Sequence, residues 1–286
     1  MSPRHGITVL EVLVVLVLCI LVGGLGIVMI ARHRENAQRE MCKNNLRVLG
    51  GAVHAYHGKP EDPNARQYFP PSRIADGYAT WAVLIAPHML SEHPLLKWDV
   101  QQSYFAQPTK VREARVIFHF CPTRTRLDTL SSVGDLDAKG VHFPGGLGDY
   151  ASVAGDGAGD NGALVDARLI HINEDRTFAW QSLTSLASLK RGQSNTLLLG
   201  EKHVPVDRMG DAAVGDGTLY SGQNLASFSR NAGPGFALAP SIDAPFNNNF
   251  GSWHSTVNFL MADGSVRSLA PSVNEALLGQ LARRGE

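Results

Sequence analysis

Residues 7–30 read ITVLEVLVVLVLCILVGGLGIVMI, and the only charged side chain among them is Glu11. As a helix rising about 1.5 Å per residue, the run measures roughly 36 Å. That exceeds the roughly 30 Å hydrocarbon core of a bilayer, so the run predicts one tilted membrane crossing. A helix is the open-ended structure that satisfies its backbone donors and acceptors within itself there. A cleaved secretory signal fits poorly, because its apolar region is about 7–15 residues long and an A-x-A-like site should follow. A carboxylate inside such a span costs about 2.5–3.5 kcal/mol near the centre and less near an end. Glu11 therefore calls for a partner.

Working outward, Arg32 to Glu40 is polar, and then Cys42, Leu46, Leu49, Val53 and Tyr56 recur at spacings of four and three. This is one apolar stripe, with Lys43, Asn44, Asn45, Arg47 and His54 off it. The pattern predicts a single helix over about 7–57, apolar all round and then amphipathic. Gly23, Gly24 and Gly26 weaken it locally, by about 1 kcal/mol each relative to Ala in a water-exposed helix. Gly58, Pro60, Pro63, Pro70 and Pro71 end it.

The rest, 58–286, reads as one large domain. Strand-like runs at Val116–Phe120, Thr196–Gly200 and Val257–Met261 are separated by loops rich in Gly, Asp, Pro and Asn. Asp263-Gly264 between Val257–Met261 and Val266–Leu269 is a hairpin signal. Ser272 and Glu275 form a capping-box pattern that opens a short helix with Leu277, Leu278 and Leu281. The expected fold is α+β. A long N-terminal helix, with a transmembrane half over 7–30 and an amphipathic half over 31–57, packs on an antiparallel sheet with large loops and a short C-terminal helix.

Charge excludes one class of function. Lys+Arg and Asp+Glu both number 26 in 286 residues, so no chain-wide basic field grips nucleic acid. The hydrophobic fraction of 44% is ordinary for a globular protein. Cys19, Cys42 and Cys121 are the cysteines, with no CxxC, no Cys/His cluster at zinc spacing and no HExxH. Cys42 on the stripe and Cys121 after a strand-like run suggest a disulfide joining stem to sheet. Such a loop would stabilise by roughly 4 kcal/mol in the chain-entropy model. Two buried thiols are the alternative.

Gly6-Ile7-Thr8-Val9-Leu10-Glu11 followed by an apolar run resembles the prepilin class of signal. The resemblance implies cleavage by a prepilin peptidase between Gly6 and Ile7 and methylation of the Ile7 amine. It also implies that Glu11 neutralises that amine on a neighbouring pilin or pseudopilin subunit. The physics is consistent, since an opposite charge a few ångströms away offsets the desolvation of both groups. It places residues 1–6 as a cytoplasmic leader and 58–286 as an extracytoplasmic domain. The chain then sits in the inner membrane as a single-pass protein before assembly into a filament. Basic residues after the run (Arg32, Arg34, Arg39, Lys43) outnumber those before it, so the positive-inside count opposes that orientation.

The remainder is similar to a large family from planctomycete-type bacteria in which a prepilin signal precedes a domain of unknown function. The matching pieces are Cys42 with Asn44-Asn45-Leu46, Tyr56-His57, Phe69-Pro70, Trp81 with Leu84 and Pro87, Cys121-Pro122, Ser194-Asn195-Thr196, Gly200-Glu201, His254, Asn258 and Ala262 to Val266. Where the family often has glycines after the histidine, this chain has Ser255-Thr256.

Other chemistry is weaker. Gly157 to Gly162 fits GxGxxG, but Asp156 and Asp160 would repel phosphate and no helix-forming stretch follows. Asp156, Asp160 and Asn161 offer oxygen ligands to calcium, as in some secretion-system pseudopilins, or form a solvated turn. His54 and His57 lie one helical turn apart without a third ligand nearby. Glu201, His203 and His254 flank apolar runs, yet no GxSxG elbow selects a nucleophile. Arg112, Arg115, Arg124 and Arg126 read as a solvated basic face. The expected function is a non-catalytic pilin or type II secretion pseudopilin subunit. The alternative is a membrane-tethered extracytoplasmic module that binds a glycan, solute or protein.

Overall fold

The computed structural model describes residues 9–58, 67–172 and 178–285, with the backbone alone at 15, 21–28, 31–32, 171–172 and 178. The leader 1–6 and the processing residues Gly6 and Ile7 lie outside the described residues. Helix α1 runs Val9–His57. The stripe Cys42, Leu46, Leu49, Val53 and Tyr56 is buried, as the four-three spacing requires. The helix stops at Gly58, whose φ of +81° is left-handed and whose N–H donates to the His54 carbonyl at 2.9 Å. A residue without Cβ takes that conformation without strain.

The main sheet has five strands: β1 (Tyr150–Gly155), β4 (Leu197–Glu201), β5 (Ser229–Asn231), β6 (Val257–Met261) and β7 (Val266–Leu269), in the order β5-β1-β4-β6-β7. A separate ribbon pairs β2 (Arg168–Ile172) with β3 (Phe178–Gln181). Single-turn helices α2 (Trp81–Leu84), α3 (Thr109–Arg112) and α4 (Leu225–Phe228) punctuate the loops, and α5 (Glu275–Ala282) follows β7. The end of α1 and α5 cover opposite faces of the sheet. Leu260 of β6 packs with Leu46, Leu49 and Val53, whereas its neighbours Phe259 and Met261 pack with Leu278 and Leu281. That is the period-two alternation of a strand buried on both sides.

Four expectations are corrected. The sheet is mixed, not antiparallel, because β5 runs parallel to β1 with Ser152 opposite Ser229. Val116–Phe120 is not a strand; Ile117–His119 is a 3₁₀ turn. Its carbonyls are taken elsewhere: His119 O accepts from the Asp149 N–H at 2.7 Å and Phe120 O from Asn45 Nδ2 at 2.8 Å. The cap of α5 is Asn274, which accepts from the Leu277 N–H at 3.1 Å, and not Ser272.

The fourth correction concerns the membrane. Among the described residues no helix is long and apolar enough to cross one. The stretch 33–57 is largely polar outside its buried stripe. Among the described side chains of α1, burial begins at Cys42, so no long N-terminal helix lies along the sheet, and the pilin-like arrangement is overturned. A single-pass inner-membrane location with a cytoplasmic N-terminus falls with it.

Two adjacent glycines test the packing of α1. A Cβ on Gly50 would sit 2.7 Å from Leu260 Cδ1, whereas one on Gly51 would meet nothing within 4 Å. Gly51→Ala should raise stability by about 1 kcal/mol through helix propensity. Gly50→Ala should lower it by about 1 kcal/mol, overpacking outweighing the same gain. Urea denaturation of the two variants checks the opposite signs.

Candidate functional site

Four buried side chains converge where α1 enters the body: Cys42 from α1, Cys121 from the loop after the 3₁₀ turn, Glu201 from the end of β4, and His254 from the loop before β6. One potential ligand atom from each lies within 4.8 Å of all the others. His254 Nε2 is 3.3 Å from Cys42 Sγ and 3.6 Å from Cys121 Sγ. Thr123 Oγ1 is also 3.2 Å from that nitrogen. Cys42 and Cys121, for which the sequence left a disulfide and two buried thiols as alternatives, are brought together here as free, buried thiols.

Each member is held from behind. The Cys121 N–H donates to Asp149 Oδ2 at 2.7 Å. Glu201 Oε2 accepts from the Asn258 N–H at 2.7 Å, and Asn258 Oδ1 accepts from Ser268 Oγ at 2.7 Å. The His254 N–H donates to Ser252 Oγ, and Nδ1 meets Glu35 Oε1 of α1 at 2.7 Å. Tyr150 OH donates to the Cys42 carbonyl at 3.3 Å. Glu201 Oε1 is buried with no hydrogen-bond partner among the described residues. Such a group costs about 1–3 kcal/mol or more, so its position calls for a reason.

The electrostatics are those of a thiol–imidazole cluster. The contact between the thiols splits them: Cys121 is pushed down to about 5, mainly by the hydrogen bond from Cys42, while that bond and burial push Cys42 up. Burial opposes the charged form of His254, yet hydrogen bonds to Cys121 and Glu35 raise it to about 9. Burial, with the neighbouring Cys121 sulfur, pushes Glu201 up to about 7.

Directly behind Cys121 lies a buried ionic network. Asp149 accepts from Arg124 Nη1 at 3.0 Å and from Arg126 Nε at 3.0 Å. Arg126 also bridges to Asp216, which lies 3.3 Å from Lys202 Nζ. Burial lowers Lys202 to about 7 even beside Asp216. Burial alone would raise the Asp216 carboxyl, but Arg126 and Lys202 hold it well below the usual range. Arg124 and Arg126 are thus interior and not part of a solvated face. Arg112 is buried as well, donating to the Gln107 and Pro144 carbonyls, and Arg115 lies over the Phe120 ring.

The remaining sequence candidates sit elsewhere. Glu11 is in the first turn of α1. Asp156 and Asn161 bind each other, with Asn161 Nδ2 to Asp156 Oδ1 at 2.8 Å, and Arg283 lies 3.3 Å from the same carboxylate. Arg284 Nη1 donates to the Asp160 carbonyl. This loop is tied to the C-terminal residues and shares nothing with the tetrad. His57 packs on Phe69 at 5.3 Å between ring centroids, and His203 Nε2 contacts the Ala244 carbonyl. Sequence spacing missed the tetrad because its members lie on four separate segments. The available signal was that all four stand among the family-like fragments quoted above.

The family model described as "Protein of unknown function (DUF1559)", SBP_bac_10, matches residues 31–276. No curated protein and no solved structure matches the chain.

The ionic network has a definite pH signature. Asp216 has a folded pKa below its ordinary 3.8, so its stabilisation is present above that value and is lost as pH falls through the lower folded pKa. Asp216→Asn should cost about 3–5 kcal/mol at pH 7, leaving Arg126 and Lys202 unbalanced. The gap to the parent should narrow as pH falls below 3.8; a constant gap across acid denaturation curves would refute this assignment.

Proposed function

We propose, for a chain that belongs to the DUF1559 family, that it is a non-catalytic structural subunit of a helical assembly of the pilin or pseudopilin kind. The observation that carries this reading is the apolar surface of α1. Val9, Leu10, Val12, Leu13, Val14, Leu16, Val17, Leu18 and Ile20 are all exposed, Val9 by 78%. Exposed apolar surface on this scale marks an interaction site. Because these residues surround the helix on every side, a groove on one partner covers only part of them. A bundle of identical helices from other copies covers all of them. The family match begins at residue 31 and leaves this segment outside it, in keeping with a packing rod joined to a separate body.

In this reading a prepilin peptidase cleaves between Gly6 and Ile7, and the Ile7 amine is methylated. The Glu11 carboxylate meets that amine on the adjacent copy and sets the register between subunits. An ion pair suits this role because its geometry discriminates against other registers even where its net contribution to stability is small.

Leu13→Arg and Glu11→Ala should each reduce sedimentable assemblies from the native cell by at least about tenfold, or about 1.4 kcal/mol per contact. The body's melting temperature should not change. Unaltered sedimentation of both variants, or intact-mass measurement showing Met1 retained in the mature protein, would overturn the reading.

A further inference from the structure

We propose that Cys42, Cys121, His254 and Glu201 form a binding site for one zinc-class divalent cation that fastens α1 to the body. Two sulfurs, one imidazole nitrogen and one carboxylate oxygen are a ligand set that zinc takes in tetrahedral geometry. The spacing fits. With Zn–N near 2.0–2.1 Å and Zn–S near 2.3 Å, a tetrahedral centre sets the nitrogen and sulfur roughly 3.5–3.6 Å apart. The His254 nitrogen lies 3.3 and 3.6 Å from the two sulfurs.

A second observation is independent of that spacing. Glu201 is 1% exposed, its Oε2 is occupied by the Asn258 N–H, and its Oε1 has no hydrogen-bond partner among the described residues. A cation supplies what this oxygen lacks. A Cys42–Cys121 disulfide would not, because it leaves a buried carboxylate oxygen with nothing to bind. The surrounding groups also serve a metal. Glu35 engages His254 Nδ1 at 2.7 Å, so Nε2 is the nitrogen turned toward the sulfurs. A carboxylate behind a ligating imidazole fixes the ring and raises its basicity. Asp149, through the Cys121 N–H, holds the sulfur-bearing loop. Thiolates and imidazole select a borderline-soft ion over calcium and magnesium, which take oxygen cages. Binding requires both sulfurs as thiolates, His254 Nε2 unprotonated and Glu201 as carboxylate, so any protons these ligand atoms carry are released into solvent.

The test uses the full chain purified under reductant without chelator. Elemental analysis should give one zinc per chain. Replacement by cobalt(II) should give the visible bands of a tetrahedral ion and a near-ultraviolet thiolate charge-transfer band. Cys42→Ser and His254→Ala should each abolish stoichiometric metal. Since either variant could fail to fold, the parent protein is also stripped by chelator. Its melting temperature should fall by on the order of 10 °C and be restored by zinc but not by calcium or magnesium. A folded, metal-free protein with both thiols titratable and no response to added zinc would overturn the site. So would a non-reducing peptide map showing Cys42 bonded to Cys121. Neither result depends on whether the chain assembles.

Discussion

The interior turns on one carboxylate, Asp149, buried completely just before β1. It accepts from the Cys121 N–H, from Arg124 and from Arg126, while its own N–H donates to the His119 carbonyl and its carbonyl accepts from the Lys202 N–H. One residue thereby fixes the loop bearing Cys121 and the end of the strand bearing Glu201. A buried carboxylate with fewer partners would be too costly to keep charged. Arg124, Arg126, Asp216 and Lys202 are therefore part of the same construction, which ties the irregular backbone between the 3₁₀ turn and β1 to the sheet.

The tetrad sits on that base at the point where α1 meets the body. Beyond it, toward the C-terminus, α1 is packed by Leu46, Leu49, Val53 and Tyr56; before it, the described side chains of α1 are exposed or half-buried. The join between rod and body thus rests on a short length of helix. Dispersion and burial hold such a contact without fixing rotation about or sliding along the helix axis. Directional bonds at Cys42, with Asn45 Nδ2 on the Phe120 carbonyl at 2.8 Å, constrain both.

Much of this was legible in the residues. The stripe on α1, the stop at Gly58 and the hairpin at Asp263-Gly264 followed from local periodicity and turn chemistry, because those signals act within a few residues. The failures have a common cause. Val116–Phe120 has a strand's composition, but distant Asn45 and Asp149 compete for its carbonyls. Arg124 and Arg126 look like surface charges until Asp149 and Asp216 are placed beside them. The parallel pairing of β5 with β1 joins segments far apart in the chain. The apolar run at 7–30 was long enough for a bilayer by residue count, whereas no helix among the described residues is long and apolar enough to cross one. The tetrad needed the fold itself, since no two of its members fall within a recognisable metal-binding spacing.

Glu35 ties these parts together. It lies on α1 two turns before Cys42, on a stretch that contributes nothing to the core, yet it reaches His254. The helix thus touches the same histidine twice, through a carboxylate on Nδ1 and through a sulfur beside Nε2. A rotation of α1 that kept the apolar stripe partly seated would still break one of these contacts. Glu35 is half-exposed, at 45% of its side chain, so it adds little to stability by itself. Its effect is on alignment: it adds a polar contact between α1 and the body two turns N-terminal of Cys42, so the seating of the helix rests on chemistry around His254 as well as on hydrophobic contact.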